Sequence, residues 1–220
     1  MRADIRADIR ADIRADIVVF DGADDLDVVG PYEVLGLAGR AGQGVTVRLV
    51  SLDGPRTVTT AGGLLLPAAG WAPQEADVLI VPGGGYATSE TSGVRAELDS
   101  GRLPAALAAA ARPGLVLASV CTGAMLLGAG GLLTGRACTT HHRAVEDLVA
   151  AGGRPVQARV VDDGDVVTAG GITSGLDLAI WLVERHRGAQ AAALVQQILE
   201  YERREPLWRS GDPVTSGAGR

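Results

Sequence analysis

Short continuous runs of hydrophobic residues alternate with longer amphipathic stretches along most of this chain. Runs such as 77–81 and 115–120 are bounded by glycine, proline or polar residues, which is typical of buried strands. We predict strands at 17–20, 45–52, 57–60, 77–81, 115–120, 136–140, 157–162 and 165–169. We predict helices at 28–39, 94–111, 122–128, 142–151, 174–187 and 189–202. This alternation predicts an α/β fold whose parallel sheet is covered on both faces and binds ligands at the carboxyl ends of its strands.

The length of 220 residues fits one domain with appendages. Residues 2–17 are four copies of Arg-Ala-Asp-Ile. On a helix this repeat stacks like charges, whereas on a strand it places Ala and Ile on one face and Arg and Asp on the other. We interpret residues 1–15 as a disordered or extended tail, 16–205 as the domain and 206–220 as a polar C-terminal tail. An extended edge segment that pairs with another strand is the alternative for the repeat.

The composition argues against nucleic acids, membranes and metal ions as binding partners. The net charge is −6 and basic residues do not cluster, which argues against a nucleic-acid surface. No apolar run is long enough for a membrane span, and the N-terminus lacks the apolar core of a signal peptide, so we expect a cytoplasmic protein that does not bind membranes. The two cysteines make no disulfide framework, and with two adjacent histidines they offer no zinc spacing, so no metal site is predicted.

Cys121 is the strongest candidate for chemistry. It follows the predicted strand 115–120 directly and precedes the predicted helix, with the small residues Ser119 and Gly123 two positions away on either side. A serine in the same setting forms the nucleophile elbow of hydrolases. Free N–H groups and the positive end of the helix favour a thiolate at such a position. The alternative is a buried structural cysteine, which is the commoner role of this residue type.

Four stretches, in this order and spacing, resemble the ThiJ/PfpI superfamily: 26–35 with Asp27 and Gly30-Pro31, 81–85, 118–124 and 139–142. The resemblance covers about residues 16–205. It implies a single flavodoxin-like sandwich with a mostly parallel central sheet, like that of class I glutamine amidotransferases. It also implies a homodimer.

Within the superfamily the chain looks most like the isonitrile hydratase subgroup. Asp27 stands where most relatives carry glutamate, and Thr122 follows the cysteine where the protease and glyoxalase branches carry histidine. The C-terminal segment with Pro206 is also similar. The chain departs from the subgroup at His142, where a tryptophan is common.

The resemblance implies a role for each matching residue. Cys121 is the nucleophile, and Asp27 is the acid or base beside its sulfur. The backbone N–H groups of Thr122 and Gly84 form an anion-stabilising pair, and the Thr122 hydroxyl contributes. Thiolate attack on the isonitrile carbon, a proton from Asp27 and hydrolysis of the thioimidate by water yield an N-substituted formamide, with no cofactor. Such an enzyme is a hydro-lyase whose partner is a small-molecule substrate.

The physical chemistry of the pair adds a condition. An ionised Asp27 would repel the Cys121 thiolate, so we expect the pair to carry one negative charge near neutral pH and to titrate as a unit. Position alone leaves another role open for Asp27, because aspartate at a helix start is often the N-cap.

Further candidate residues surround Cys121 and Asp27. His141 either tunes the thiolate or forms a hydrogen bond within the core, and Gly83 and Ile172 are candidates for the surroundings of the site. Asp177 lies on a predicted helix, and we expect it to be solvated.

Two other functions stay open. One is a glyoxalase-like or deglycase-like enzyme that uses the same cysteine. The other is a non-catalytic module that senses oxidation or a ligand, since an exposed low-pKa cysteine oxidises readily.

Overall fold

The structure, a computed structural model, describes residues 12–87 and 91–212. Its helices are α1 (Asp25–Arg40), α2 (Gly93–Ser100), α3 (Arg102–Ala110), α4 (Gly123–Ala129), α5 (Val145–Ala150), α6 (Ser174–Arg187) and α7 (Ala189–Leu199). Its strands are β1 (Ile13–Val18), β2 (Val45–Ser51), β3 (Arg56–Thr59), β4 (Leu65–Gly70), β5 (Val78–Val81), β6 (Val116–Val120), β7 (Ala137–Cys138), β8 (Arg154–Pro155), β9 (Val160–Asp162), β10 (Val166–Ala169) and β11 (Leu207–Arg209).

A nine-stranded sheet runs through the described part of the chain in the order β11-β9-β10-β6-β5-β1-β2-β4-β3. Its central strands, from β10 to β4, are all parallel. Antiparallel pairing occurs at β9 with β10 and at β3 with β4. Strands β7 and β8 form a separate parallel pair.

Helices cover both faces of this sheet. Helices α1, α6 and α7 contact one another on one face, and α2, α3, α4 and α5 form the layer on the other. Strands β5 and β6, which are apolar except for Ser119, are buried along their whole length between the two layers. The predicted α/β sandwich with a mostly parallel central sheet is therefore confirmed. None of the described helices is long and apolar enough to cross a membrane.

The predicted elements differ from the structure at particular points. The helix predicted at 94–111 is two helices, because Gly101 adopts a left-handed conformation (φ 66°) that ends α2 and precedes α3. Strand β4 was not predicted, since its sequence contains Pro67 and lacks an alternating pattern. The strand predicted at 136–140 is confined to Ala137–Cys138.

The sheet also extends past both predicted domain boundaries. Strand β1 starts at Ile13, three residues before the boundary drawn at residue 16, and β11 lies in the segment interpreted as a polar tail. Trp208 on β11 is buried, because it pairs with β9 and packs beside Val161. Residues 1–11, which hold the first copies of the repeat, lie outside the described residues.

The last copy of the repeat forms the central strand. Ala15 and Ile17 on β1 are buried apolar residues, and Ile13 pairs with Val45 of β2. Asp16 is fully buried as well, and its Oδ1 and Oδ2 accept hydrogen bonds of 2.9 and 2.6 Å from the Arg48 guanidinium. The strand arrangement considered for the repeat therefore applies to its last copy, in the interior of the sheet rather than at an edge.

Asp177, expected to be solvated, is fully buried on α6. Its Oδ2 accepts a 2.7 Å hydrogen bond from Arg159 Nε, and its Oδ1 accepts bonds from the Tyr201 hydroxyl (3.0 Å) and the Arg204 backbone N–H (2.8 Å). The expectation failed because these partners come from separate segments, which helical spacing alone does not reveal. Asp177 thereby ties the segment after α7 to α6 and to the strand that begins at Val160.

Replacing the Asp177 carboxylate tests how much it contributes to the stability of the fold. We expect Asp177→Ala to lower the free energy of unfolding by about 3–5 kcal/mol, because it leaves the Arg159 guanidinium without its buried partner. Urea denaturation measures the change. The matched control is Glu33→Ala, which removes the exposed ion pair with Arg40 and should cost less than about 1 kcal/mol. Equal, small effects in both variants would contradict the structural role of Asp177.

Candidate active site

Four neighbouring parallel strands bring the site together. In the order β10, β6, β5 and β1, these strands end at the same edge of the sheet. The loop with Ile172 follows β10, Cys121 follows β6, Gly83 follows β5, and helix α1, with Asp27 in its first turn, follows β1. Residues that are far apart in sequence therefore meet where the carboxyl ends of the strands open, as predicted for this fold.

Cys121 forms a sharp elbow between β6 and α4. Its φ of 54° lies in the left-handed region, which costs a non-glycine residue about 1–3 kcal/mol and persists only when neighbours hold it. Its backbone N–H donates to the carbonyls of Ala169 (3.1 Å) and Gly170 (2.9 Å). The Thr140 hydroxyl donates to its carbonyl at 2.9 Å. These three bonds hold the strained backbone, as expected for a nucleophile elbow.

The Cys121 sulfur lies in a nearly closed environment. The residue is only 6% exposed. The backbone N–H groups of Thr122 and Ile172 donate hydrogen bonds to the sulfur and act to lower its pKa. Ile172 itself has a left-handed backbone, with φ of 37°, in the loop after β10. Backbone donors from two separate loops thus converge on one sulfur atom.

Asp27 is the partner of this sulfur. Asp24, and not Asp27, is the N-cap of α1, since its side chain accepts the N–H groups of Leu26 (3.0 Å) and Asp27 (3.3 Å). The Asp27 carboxyl is left for other contacts and is fully buried. Its Oδ2 accepts the Gly83 N–H at 2.9 Å, its Oδ1 has no hydrogen-bond partner among the described residues, and the carboxyl lies close enough to the Cys121 side chain for each group to affect the pKa of the other. The N-cap alternative for Asp27 is therefore wrong in this structure.

Two glycines make room for the pair. A Cβ on Gly83 would lie 2.6 Å from Thr122 Oγ1 and 2.9 Å from Asp27 Oδ2, inside normal contact distance. A Cβ on Gly123 would overlap the carbonyl oxygen of Val81 at the end of β5. A side chain at either position would push the β5 turn away from the elbow, and with it the carboxyl away from the sulfur.

Burial controls the ionisation of both partners. It raises the pKa of Asp27 to about 8, with repulsion from Asp24 adding to the rise. It raises the pKa of Cys121 to about 12, and repulsion from an ionised Asp27 adds to that rise. Burial therefore favours the protonated carboxyl and the protonated thiol, and the single charge expected for the pair near neutral pH is shifted toward higher pH. The free thiolate favoured by the helix start is likewise not the resting form.

The predicted anion-stabilising pair is arranged differently from expectation. The Gly84 N–H donates to Thr122 Oγ1 at 3.2 Å, and the Thr122 N–H donates to the sulfur of Cys121. Gly84 therefore reaches the site through the Thr122 hydroxyl. That hydroxyl accepts from Gly84 and can use its own proton as a donor toward a ligand.

His141 lies in the loop after β7, directly before a short 3-10 helix at His142–Ala144, and not in a strand. Its Nδ1 accepts the Arg143 N–H at 3.3 Å, and its ring lies 4.2 Å from that of His142. Burial and the nearby positive charges of His142 and Arg143 lower the pKa of His141. The imidazole is therefore a neutral group beside the site at neutral pH.

Two contributors to the site went unrecognised in the sequence. Asp24 carried a signal, because an aspartate three residues before another acidic residue at a helix start matches the spacing of a helix cap. Thr140 carried none, because its bond to Cys121 depends on how the loop after β7 folds. Among the described residues, no group of three or more His, Cys, Asp or Glu side chains is placed to hold a metal ion.

Comparisons of the sequence and of the structure with known proteins point to the same family. The family model for the DJ-1/PfpI family matches residues 13–185. An isonitrile hydratase of Pseudomonas putida is 36% identical over 200 residues, which is 90% of this chain and 82% of that protein. The crystal structure of a ThiJ/PfpI family protein from Pseudomonas syringae has a TM-score of 0.75 and 28% identity, and the match covers 99% of this chain and 86% of that one. Drosophila melanogaster DJ-1beta, at 20% identity and a TM-score of 0.73, shares the fold over 87% of this chain and 99% of its own.

The raised pKa of Asp27 predicts a pH dependence of stability. The folded state holds its proton up to about pH 8 and the unfolded chain only to about 3.8, so the stabilising effect is complete below 3.8 and is lost as pH rises to 8. Relative to Asp27→Asn, the wild type should lose up to about 1.4 kcal/mol of unfolding free energy per pH unit in this window. Urea denaturation of both proteins at pH 5 and pH 8 measures the difference, in which the other titrating groups cancel. A constant difference would show that Asp27 ionises normally.

Proposed function

The chain belongs to the DJ-1/PfpI family, and on that premise we propose that it is an enzyme that hydrates isonitriles to N-substituted formamides. The observation that carries the proposal is the buried Asp27 carboxyl beside the Cys121 sulfur, with an Oδ1 that has no hydrogen-bond partner among the described residues. The relative that is an isonitrile hydratase supports the choice of substrate. Aspartate in this position and threonine after the cysteine are the features by which the sequence resembles that subgroup.

The first step adds sulfur and hydrogen to the same atom. The terminal carbon of an isonitrile carries a lone pair and is also electrophilic. The carbon takes the proton of the Asp27 carboxyl while a bond forms between it and the Cys121 sulfur, and the thiol proton passes to the carboxylate. The product is a thioimidate on Cys121, and Asp27 is again protonated. The neutral pair described above holds both protons that this exchange requires.

The second step releases the product. Water adds to the thioimidate carbon, and the imine nitrogen is protonated. The carbon–sulfur bond then breaks, the hydroxyl proton returns to the sulfur, and an N-substituted formamide leaves. We assign Asp27 as the relay for these protons, because its carboxyl lies beside the sulfur. The sum is isonitrile plus water, so the predicted absence of a cofactor suits the chemistry.

Thr122 and Ile172 stabilise charge during both steps. Their backbone N–H groups donate to the sulfur and lower the cost of negative charge on it as the thiol loses its proton and again as the sulfur leaves. The Thr122 hydroxyl, fixed by Gly84, donates to the substrate nitrogen or the added oxygen. The homodimer implied by the family resemblance stays a prediction, as does the cytoplasmic location.

The nucleophile is tested by Cys121→Ala. We expect this variant to retain its fold and to lose hydration of cyclohexyl isocyanide by at least about 10⁴-fold, because no covalent intermediate can form. Product formation is followed by chromatography, and mass spectrometry measures the mass of the thioimidate adduct on Cys121 in the wild type. The matched control is Cys138→Ala, which removes the other cysteine from β7 and should leave hydration intact. Methylglyoxal is assayed in parallel, because a glyoxalase-like enzyme would convert it and an isonitrile hydratase would not. Full hydration activity in Cys121→Ala would contradict the assignment of Cys121 as the nucleophile.

The proton relay is tested by Asp27→Asn. We expect turnover to fall by about 10²–10⁴-fold, since the amide cannot pass a proton to carbon. The matched control is Asp25→Asn, two residues earlier in the first turn of α1, whose carboxylate instead binds the Thr60 hydroxyl and, at 2.8 Å, the Gly62 N–H. Asp25→Asn should keep activity within about threefold, because its carboxylate bonds the segment around Thr60 and not the reacting groups. Equal rates in Asp27→Asn and Asp25→Asn would contradict the relay.

A further inference from the structure

The Ile172 N–H, which donates to the Cys121 sulfur, lies in the short loop between β10 and α6, at residues 170–173. Ile172 has a left-handed backbone, with φ of 37°. A β-branched residue rarely adopts this conformation, which persists only where its surroundings impose it. The contacts that hold the loop therefore also set the direction in which this N–H points.

Arg159, directly before β9, holds both ends of this loop. Its backbone carbonyl accepts the Gly170 N–H at 2.9 Å. Its Nη2 donates to Thr173 Oγ1 at 3.0 Å. Ile172 lies between these two contacts, so a residue outside the loop fixes the chain both before and after the donor to the sulfur.

The Arg159 guanidinium is itself held in place. Its Nε and Nη2 lie 2.7 and 2.6 Å from Oδ2 of Asp177, which is fully buried. Its backbone N–H donates to the Pro206 carbonyl at 2.9 Å. Because the planar guanidinium is already oriented by a buried carboxylate, it loses little further freedom when Nη2 also bonds Thr173.

The side chain of Thr173 is used in a way that its own helix does not explain. Thr173 stands at the N-cap of α6, where a threonine usually accepts an N–H of its own helix, but its side chain makes no capping bond. Its oxygen accepts from Arg159 instead. At the other end of the loop, the Gly170 carbonyl accepts the Cys121 N–H at 2.9 Å. Both ends held by Arg159 are thus one residue or one hydrogen bond away from the site.

We infer that Arg159 is a positioning residue, which acts through Thr173 to hold the Ile172 N–H on the Cys121 sulfur. Its expected effect on turnover rests on the proposed function, whereas its effect on the thiol does not. The N–H lowers the cost of negative charge on the sulfur, so a loop that is released at Thr173 makes that charge harder to form. Arg159 touches neither the sulfur nor the substrate in this role.

Two substitutions break the bond between Arg159 and Thr173. Arg159→Lys keeps the positive charge beside Asp177 but replaces the fork with a single nitrogen. Thr173→Val keeps the shape of an exposed threonine and removes its oxygen. We expect each to lower kcat for cyclohexyl isocyanide about tenfold and to change KM less than twofold, because the donor is displaced and not deleted. Thr173→Ser restores the hydroxyl and should keep kcat within about twofold of the wild type.

Alkylation by iodoacetamide reports on the thiol without any isonitrile. At pH 9 the Cys121 thiol, whose pKa burial raises to about 12, is mostly protonated, so the rate is proportional to its thiolate fraction. We expect Arg159→Lys and Thr173→Val to slow alkylation of Cys121 about tenfold, as measured by peptide mass spectrometry. Cys138, on β7, is the internal reference and should react as in the wild type. An unchanged or faster reaction of Cys121 in both variants would overturn the inference.

The double variant tests whether Arg159 acts through Thr173. If the two residues act through one bond, Arg159→Lys combined with Thr173→Val should lose no more than either single variant. Losses that multiply to about 100-fold would overturn the inference. The matched control is Arg204→Lys, since Arg204 contacts Asp177 through its backbone N–H, and it should change neither kcat nor alkylation. Circular dichroism checks folding, and Thr173→Val alone decides the test should Arg159→Lys fail to fold.

The outcomes separate the inference from the proposed function. Slower alkylation in the variants, together with a wild type that hydrates no isonitrile, would overturn the proposed function and support the inference. Hydration by the wild type, with kcat and alkylation unchanged in the variants, would overturn only the inference. A lower kcat with unchanged alkylation would show that the loop does not act on the sulfur, and would overturn the inference too.

Discussion

The contact between the Asp27 carboxyl and the Cys121 sulfur depends on the backbone of two other loops. Gly83 approaches so closely that a side chain would collide with Asp27 and Thr122, and its N–H holds the carboxyl in place. The loop after β10 supplies the carbonyls that fix the Cys121 N–H and the Ile172 donor to the sulfur. Because the four contributing strands are adjacent and parallel, a small shift in any one of them would separate the acid from the thiol.

Backbone strain and burial act together at this contact. Cys121 and Ile172 are two of the three non-glycine residues with positive φ among the described residues, and they lie on either side of the same sulfur. Strained residues persist where the surroundings determine their conformation, and here hydrogen bonds to Cys121 from three directions provide that constraint. Burial of the carboxyl then keeps it protonated, which removes the repulsion that two ionised neighbours would suffer.

Much of this architecture could be predicted from sequence because it follows from local patterns. Continuous apolar runs predicted the central strands, and the single cysteine between a strand and a helix predicted the elbow. The break between two helices at Gly101, strand β4 and the C-terminal strand β11 were missed, since each depends on a backbone conformation or on pairing between distant segments. Buried Asp177 was missed for the same reason, because its partners lie 18 to 27 residues away along the chain. The ionisation of Asp27 and Cys121 depends on desolvation, which residue identity and spacing do not specify.

A protonated pair is chemically suited to the proposed reaction. Addition to an isonitrile requires a nucleophile and a proton at the same carbon atom. A thiolate without a nearby acid could form the carbon–sulfur bond but could not protonate the carbon. A thiol beside a carboxyl that keeps its proton to about pH 8 holds both reactants, and the carboxyl can exchange one proton for another as the carbon–sulfur bond forms. The high pKa of the thiol is then overcome only when substrate is present, because proton transfer and bond formation occur together. The same property makes the resting sulfur a poor target for oxidants, since the thiolate is the form that oxidises. A sensor of oxidation needs an exposed cysteine that is ionised at rest. The buried, protonated thiol of this site instead suits the proposed reaction, in which the thiol loses its proton only as it bonds to the substrate.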